Sequence, residues 1–203
     1  MQHYCLHRLS YHGLIGLLSI LLLSGCTTIQ VPQPNQVNIA PNTLVTLPTP
    51  AQLGYSLTAS QLITATWQQT SHQLPVQLQV TPQALALAGF SSWGSRILSL
   101  DYTDQHITTY VMPGLGSTLP EPKQVLFNMM ITLWPLDAWQ QPLQHIGWQL
   151  KQTSHQRQLI NNKGVVVAEI NYQNINQLTG TITFTHYQPN YTITIKTLHY
   201  QRQ

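Results

Sequence analysis

Between Pro122 and Pro135 the chain is almost continuously apolar. After Lys123, only Gln124, Asn128 and Thr132 interrupt Val125, Leu126, Phe127, Met129, Met130, Ile131, Leu133 and Trp134, and they recur at a spacing of four. That period is helical, so the segment reads as a helix carrying one narrow polar stripe. Pro122 suits a first helical turn, and Pro135 stops the helix at Trp134. A helix apolar around most of its circumference must be buried on nearly all sides or must cover a cavity. A second helical turn, Leu136 to Gln141, is expected to stop before Pro142.

On either side of this insert the period changes to two. Leu74, Val76, Leu78 and Val80 alternate with polar neighbours, and Thr81-Pro82 marks a turn before a strand from Ala84 to Phe90. Ile97 to Tyr102 and His106 to Val111 flank a turn at Thr103-Asp104. Beyond the helices, Trp148 to Thr153, Gln156 to Ile160 and Val165 to Tyr172 read as strands, the last two joined through Asn161-Asn162-Lys163-Gly164. The clearest hairpin pairs Thr181–Tyr187 with Tyr191–Tyr200 across Gln188-Pro189-Asn190. Setting Gln188 opposite Tyr191 collects Ile182, Phe184, His186, Ile193 and Ile195 on one face and threonines on the other. The fold class is therefore mainly β with a helical insert (α+β): a curved antiparallel sheet with a helix pair lying across it.

The N-terminus carries a different message. Leu14 to Leu23 is an apolar run of about ten residues, too short for a ~30 Å hydrocarbon core and suited to a secretory signal. It ends in Leu23-Ser24-Gly25-Cys26, which resembles the lipobox of bacterial lipoproteins. The expected organisation is a signal peptide over 1–25, a lipidated Cys26 heading a tether over 26–50, and a β-rich periplasmic domain over 51–203. The tether reading rests on Pro32, Pro34, Pro41, Pro48 and Pro50 among Gln, Asn and Thr. Cys5 departs with the signal, so the remaining chain has one cysteine and no internal disulfide. Thr27 follows the lipidated position where an aspartate would signal inner-membrane retention, so lipoprotein sorting implies the outer membrane.

Charge is scarce. Charged residues make up 6% of the chain, against about 25% in an ordinary domain. Without Arg8 there remain seven Lys and Arg against five Asp and Glu, a net charge of +2. Lys123, Lys151, Arg157, Lys163 and Lys196 are scattered with no aromatic interleaving, which argues against nucleic acid as a partner. His72, His106, His145, His155, His186 and His199 offer no pair at metal-ligand spacing, and no cofactor is expected. The acids Asp101, Asp104, Glu121, Asp137 and Glu169 form no evident catalytic pair, and Glu169 and Arg96 could meet inside the sheet. Gly89 to Gly94 misses the nucleophile-elbow pattern, and Pro113-Gly114-Leu115-Gly116-Ser117 reads as a turn. A non-catalytic role is expected.

Strands on both sides of a helical insert, a lipobox and a Pro-rich tether together resemble the LolB-like outer-membrane lipoproteins. Leu87 to Tyr102 and Lys123 to Trp139 look closer still to an uncharacterised lipoprotein family often encoded among aryl polyene biosynthesis genes. The resemblance implies a half-open barrel with the helix pair across its mouth, in a monomer. It also places Ser92-Trp93-Gly94 where the receptor carries a turn whose exposed leucine enters lipid. Phe90 and Trp93 are then a membrane-contact loop, the alternative being a Trp93 folded onto the core. Leu126, Met129, Met130 and Leu133 are a lid over a hydrophobic cargo, the alternative being plain core packing. On this reading the acyl chains hold the protein to the outer membrane, where it receives an acyl chain, a lipoprotein or a polyene-type lipid. The other reading is a structural partner that holds a second envelope protein through a strand edge or the threonine face.

Overall fold

The computed structural model describes residues 33–67, 69–103, 106–116 and 119–203. The signal segment, the lipobox residues and Cys26 lie outside the described residues, as do Asp104 and Ser117. Strands follow in the order β1 (Gln36–Ala40), β2 (Thr43–Thr46), β3 (Leu57–Trp67), β4 (Thr70–Val80), β5 (Ala84–Phe90), β6 (Arg96–Thr103) and β7 (His106–Val111). Two helices, α1 (Pro122–Leu133) and α2 (Leu136–His145), come next. The chain closes with β8 (Gln149–Gln152), β9 (Gln156–Ile160), β10 (Val166–Tyr172), β11 (Thr181–Tyr187) and β12 (Asn190–Arg202).

Ten of these strands form one antiparallel sheet in the order β7-β6-β5-β4-β3-β12-β11-β10-β9-β8. Its two edges, β7 and β8, do not pair with each other, so the barrel is half open. The curvature follows from the contacts of α1, which packs on β6 and β7 near one edge and also on β11. In a flat sheet β7 and β11 would stand roughly 29 Å apart, far more than one helix can span across its width. The sheet therefore wraps around α1. Inward residues alternate along each wall: Val76, Leu78 and Val80 in β4, Leu98, Leu100 and Tyr102 in β6, Ile182 and Phe184 in β11. With α1 and α2 they form one hydrophobic core on the concave side.

The tether expected over 26–50 fails for its second half. Residues 36–46 form a β1–β2 hairpin, and Val37, Ile39, Val45 and Leu47 are buried in the core. The prolines obscured this. Pro34, Pro48 and Pro50 lie outside the strands, and Pro41 sits in the turn before Asn42 at φ 58°. Proline and a positive φ at the next residue suit a tight turn. Between them a period-two apolar pattern remains, so the domain begins well before residue 51.

Three further expectations shift. Strand β3 was not anticipated, because its inward positions include Ala59, Gln61 and Ala65 and so show little apolar contrast. It pairs with β12 on one side and β4 on the other, joining the N-terminal and C-terminal halves of the sheet. Helix α2 runs through Pro142 to His145 instead of stopping at Gln141. Proline removes one helix hydrogen bond, but Leu143 immediately after it is buried and holds the last turn against the core. The last hairpin pairs in a register two residues away from the expected one, with Tyr187 opposite Asn190 and His186 opposite Tyr191. A shift of two preserves the faces, so the division into an apolar and a threonine-rich side stands.

Candidate functional site

Helix α1 starts where Glu121 accepts a hydrogen bond from the Gln124 N–H at 2.9 Å, with Pro122 inside the first turn. Pro135 ends it. Leu126, Met129, Met130 and Leu133 recur at the spacing of one helix face and are all buried in the concavity. Phe127 meets Trp139 of α2 edge to face, ring centres 5.6 Å apart. The proposed lid thus lies packed on the core, with its apolar side chains filling the barrel.

The polar stripe has its own use. Gln124 donates to Asn128 at 3.0 Å, and Asn128 donates to the Tyr191 hydroxyl at 3.3 Å, tying the first half of α1 to β12. Tyr191 stacks on His186, centres 5.0 Å apart, and on Phe184 at 6.0 Å. Burial raises the Tyr191 pKa, opposed by the Asn128 and Gln124 hydrogen bonds. Burial lowers that of His186, opposed by its contact with the Pro189 carbonyl. Burial therefore favours the neutral form of His186 beside the Tyr191 and Phe184 rings.

At the other end of α1 stands Arg157 of β9, buried to 2% exposure. Its Nη1 donates to the Ile131 carbonyl at 2.7 Å and the Trp134 carbonyl at 2.8 Å. Its Nε donates to Gln152 Oε1 at 2.8 Å, and its guanidinium lies 5.7 Å over the Tyr172 ring. Tyr172 donates to the Thr132 carbonyl at 2.9 Å. Gln177, with its amide turned to suit both neighbours, accepts from Arg157 and donates to Thr132. A helix leaves its last carbonyls unpaired and carries partial negative charge there, so a buried cation is compensated at this position. Burial still lowers the Arg157 pKa and raises that of Tyr172. Trp134 completes the fastening by donating its indole N–H to the Thr49 carbonyl at 2.9 Å.

Sequence reasoning left Arg157 among scattered cations and overlooked Tyr172 and Tyr191. The signal for Arg157 was parity: it shares a strand face with Leu159, two residues on, which is buried. Arg96 and Glu169 do not form the pair considered for them. Arg96 is exposed opposite Phe90, whereas Glu169 accepts from Gln158 and Asn171. In β3, Gln61 is buried on the face of Val76. It donates to Thr197 and leaves its Oε1 without a partner.

The Ser92-Trp93-Gly94 turn joins β5 to β6. Ser91 accepts from Gly94 through its carbonyl and from Ser95 through its hydroxyl, and Gly94 takes φ 80°. This fixed turn presents Trp93 at 92% exposure, while Phe90 is half-buried at its base. A second feature is an open cleft of about 440 Å³ between α2 and β8, lined by Leu136, Leu143, Trp148, Leu150 and Lys151.

Residues 58–199 match the model of a family described as "Protein of unknown function (DUF3261)". No curated protein matches the chain. Among solved structures it is similar to a domain from Vibrio parahaemolyticus assigned to outer membrane lipoprotein sorting. That match has 9% identity and a TM-score of 0.37, covering 73% of this chain and 85% of the other. It is also similar to a DUF1329 family protein from Desulfovibrio piger, with 6% identity, a TM-score of 0.34, and coverage of 72% and 85%.

Proposed function

The chain belongs to the DUF3261 family, and from its geometry we propose a carrier: a half-open barrel that accepts an acyl chain, lipoprotein or polyene-type lipid in place of α1. The observation that carries the proposal is α1 itself, an apolar helix filling the mouth of an open sheet and fastened at both ends by side-chain hydrogen bonds. Withdrawing Leu126, Phe127, Met129, Met130, Ile131 and Leu133 from the core costs roughly 9–18 kcal/mol at about 1.5–3 kcal/mol each. A buried acyl chain returns about 0.8 kcal/mol per methylene, so a chain of about sixteen carbons returns about 13 kcal/mol, within that range. The exchange is close to balanced, as a carrier that must also release its cargo requires. Met129 and Met130 have the flexible thioether chains that adapt to varied shapes. Cys26, acylated, would hold the domain at the outer membrane, and Trp93 would enter the lipid interface during transfer. No chemical step is assigned.

Native mass spectrometry with lipid extraction on residues 27–203, purified from a periplasmic host, tests this. Co-purified or added lipid on the folded protein is the expected result, and a folded protein that takes up no lipid would overturn the carrier. The Trp93→Glu variant is expected to keep uptake but to deliver cargo to vesicles about tenfold more slowly, the effect of about 1.4 kcal/mol of interfacial affinity. The filled concavity favours a second reading, an assembly partner that docks another envelope protein on the unpaired β7 or β8 edge. One stoichiometric protein partner recovered from a protein that binds no lipid would select it.

A further inference from the structure

Strand register places the exposed apolar side chains at one end of the sheet. Trp67 pairs with Thr70 and Val76 with Gly89, so the β3–β4 and β5–β6 turns share an end. Thr192 opposite Thr66 brings the β11–β12 turn there, and Ala168 opposite His186 brings the start of β10 and the β9–β10 turn. At this end stand Trp93, Val165 at 54% exposure and Tyr187 at 44%, each on a different turn or strand end. Tyr110 stands one position before the end of β7 on the same side. The other exposed large apolar residues among those described, Ile175 and Leu198, belong to the opposite part of the sheet.

Exposed cations stand at both ends of the sheet, Lys196 and Arg202 toward the Leu198 end. Exposed Arg96 and Lys163 flank the Trp93 and Val165 turns. Asp101 lies toward the other end, Glu169 in the nearer half of β10 is engaged by Gln158 and Asn171, and the Glu121 carboxylate is engaged in capping α1. An apolar and aromatic fringe with cations between is the composition that an anionic lipid–water interface attracts. We infer that this whole end, and not the Trp93 turn alone, is one surface that docks on an anionic membrane, with Val165 and Tyr187 as a second apolar contact and Arg96 and Lys163 as headgroup contacts. The inference rests on the membrane reading of Trp93 and extends it across the sheet.

Vesicle co-flotation tests it, using residues 27–203, which contain every described element and lack the acylated cysteine. The probe is phosphatidylglycerol mixed into phosphatidylcholine, compared with phosphatidylcholine alone. Val165→Ser with Tyr187→Ser is expected to lower vesicle binding about three- to tenfold. Arg96→Gln with Lys163→Gln is expected to lower it about fivefold per cation on the anionic vesicles only, an effect abolished by about 0.5 M salt. Ile175→Ser with Leu198→Ser, the control from the opposite part, is expected to leave binding unchanged. All these positions are exposed, and an unchanged thermal transition confirms the fold of each variant. Loss on Trp93→Glu with no loss on the Val165/Tyr187 pair overturns the extended surface and leaves the Trp93 reading standing. Loss on the Val165/Tyr187 pair with none on Trp93→Glu overturns the Trp93 reading and, with it, the single surface. A wild-type protein that ignores both vesicle types overturns both, as does equal loss in the Ile175/Leu198 control.

Discussion

Arg157 shows how one side chain can hold an element. Its charge sits among carbonyl and amide oxygens at the end of α1, where backbone acceptors would otherwise lack partners. Arg157→Met keeps much of the packing volume and strands the Ile131 and Trp134 carbonyls. The expected loss is about 2–6 kcal/mol, at about 1–3 kcal/mol for each buried acceptor left unpaired. It should appear as a lower urea midpoint with an unchanged slope. Arg157→Lys should recover little, because an ammonium cannot reproduce the planar fork that serves Ile131, Trp134 and Gln152 together. A lysine variant as stable as the wild type would show that the charge alone suffices. His186 makes a separate prediction about pH. Its folded pKa is depressed below the ordinary 6.5 by burial, so the unfolded chain binds this proton more readily. Stability from this site is complete above about pH 6.5 and declines as pH falls toward the folded pKa. His186→Gln should flatten the pH dependence of the melting temperature between pH 7 and 5, and an unchanged slope would assign that dependence to other groups.

Elements differ in how plainly the sequence announces them. Strands β4 and β6 were legible because large apolar residues alternate with polar ones, β5 because Leu85 and Leu87 alternate with alanines, and α1 because its polar residues recur every fourth place. Strand β3 was not, since small and amide side chains at its inward positions erase the contrast. The β1–β2 hairpin was hidden by proline density, although its prolines flank the strands or sit in the turn. The Trp93 turn was legible as a turn, but only the structure shows the indole directed into solvent. The buried contacts of Arg157, Tyr172 and Tyr191 with α1 and its cap depend on residues 23 to 63 positions apart meeting across the concavity, which local pattern does not encode. The hairpin also yields a prediction. A chain starting at residue 51 loses Val37, Ile39, Val45 and Leu47 from the core and the Leu47 and Thr49 carbonyls that accept from Tyr102 and Trp134. Four buried aliphatic side chains correspond to roughly 6–12 kcal/mol, as much as a whole domain's stability. Circular dichroism of that truncation should show no cooperative unfolding, in contrast to a chain starting at residue 33. A cooperative transition in the shorter chain would mean that the hairpin is an accessory.

For the whole molecule, the governing fact is an open sheet whose concavity is already occupied by parts of its own chain. Cargo can enter only where an occupant yields, and the occupants are fastened differently from the wall. The wall is a ladder in which β3, β12 and β4 pair along most of their length. Helix α1 and the β1–β2 hairpin rest on the wall through side chains, and Trp134 joins them to each other through the Thr49 carbonyl after β2. Opening should therefore be sub-global, with α1 and the hairpin moving as one unit while the ladder stays intact. Hydrogen exchange with and without phospholipid separates the possibilities. If the concavity takes the acyl chain, amides of α1 and of β1–β2 should exchange about tenfold or more faster with lipid present, corresponding to about 1.4 kcal/mol of lost local protection, and those of β3, β4 and β12 should not change. If lipid binds and protection instead rises around Leu143, Trp148 and Leu150, the cargo occupies the cleft between α2 and β8, and α1 is a plug that never opens. The first result makes the Arg157 and Tyr172 fastening the step that sets the rate of loading, so that Arg157→Met should load faster than the wild type even though it is less stable. The second removes that coupling and leaves Arg157 a stabilising residue only.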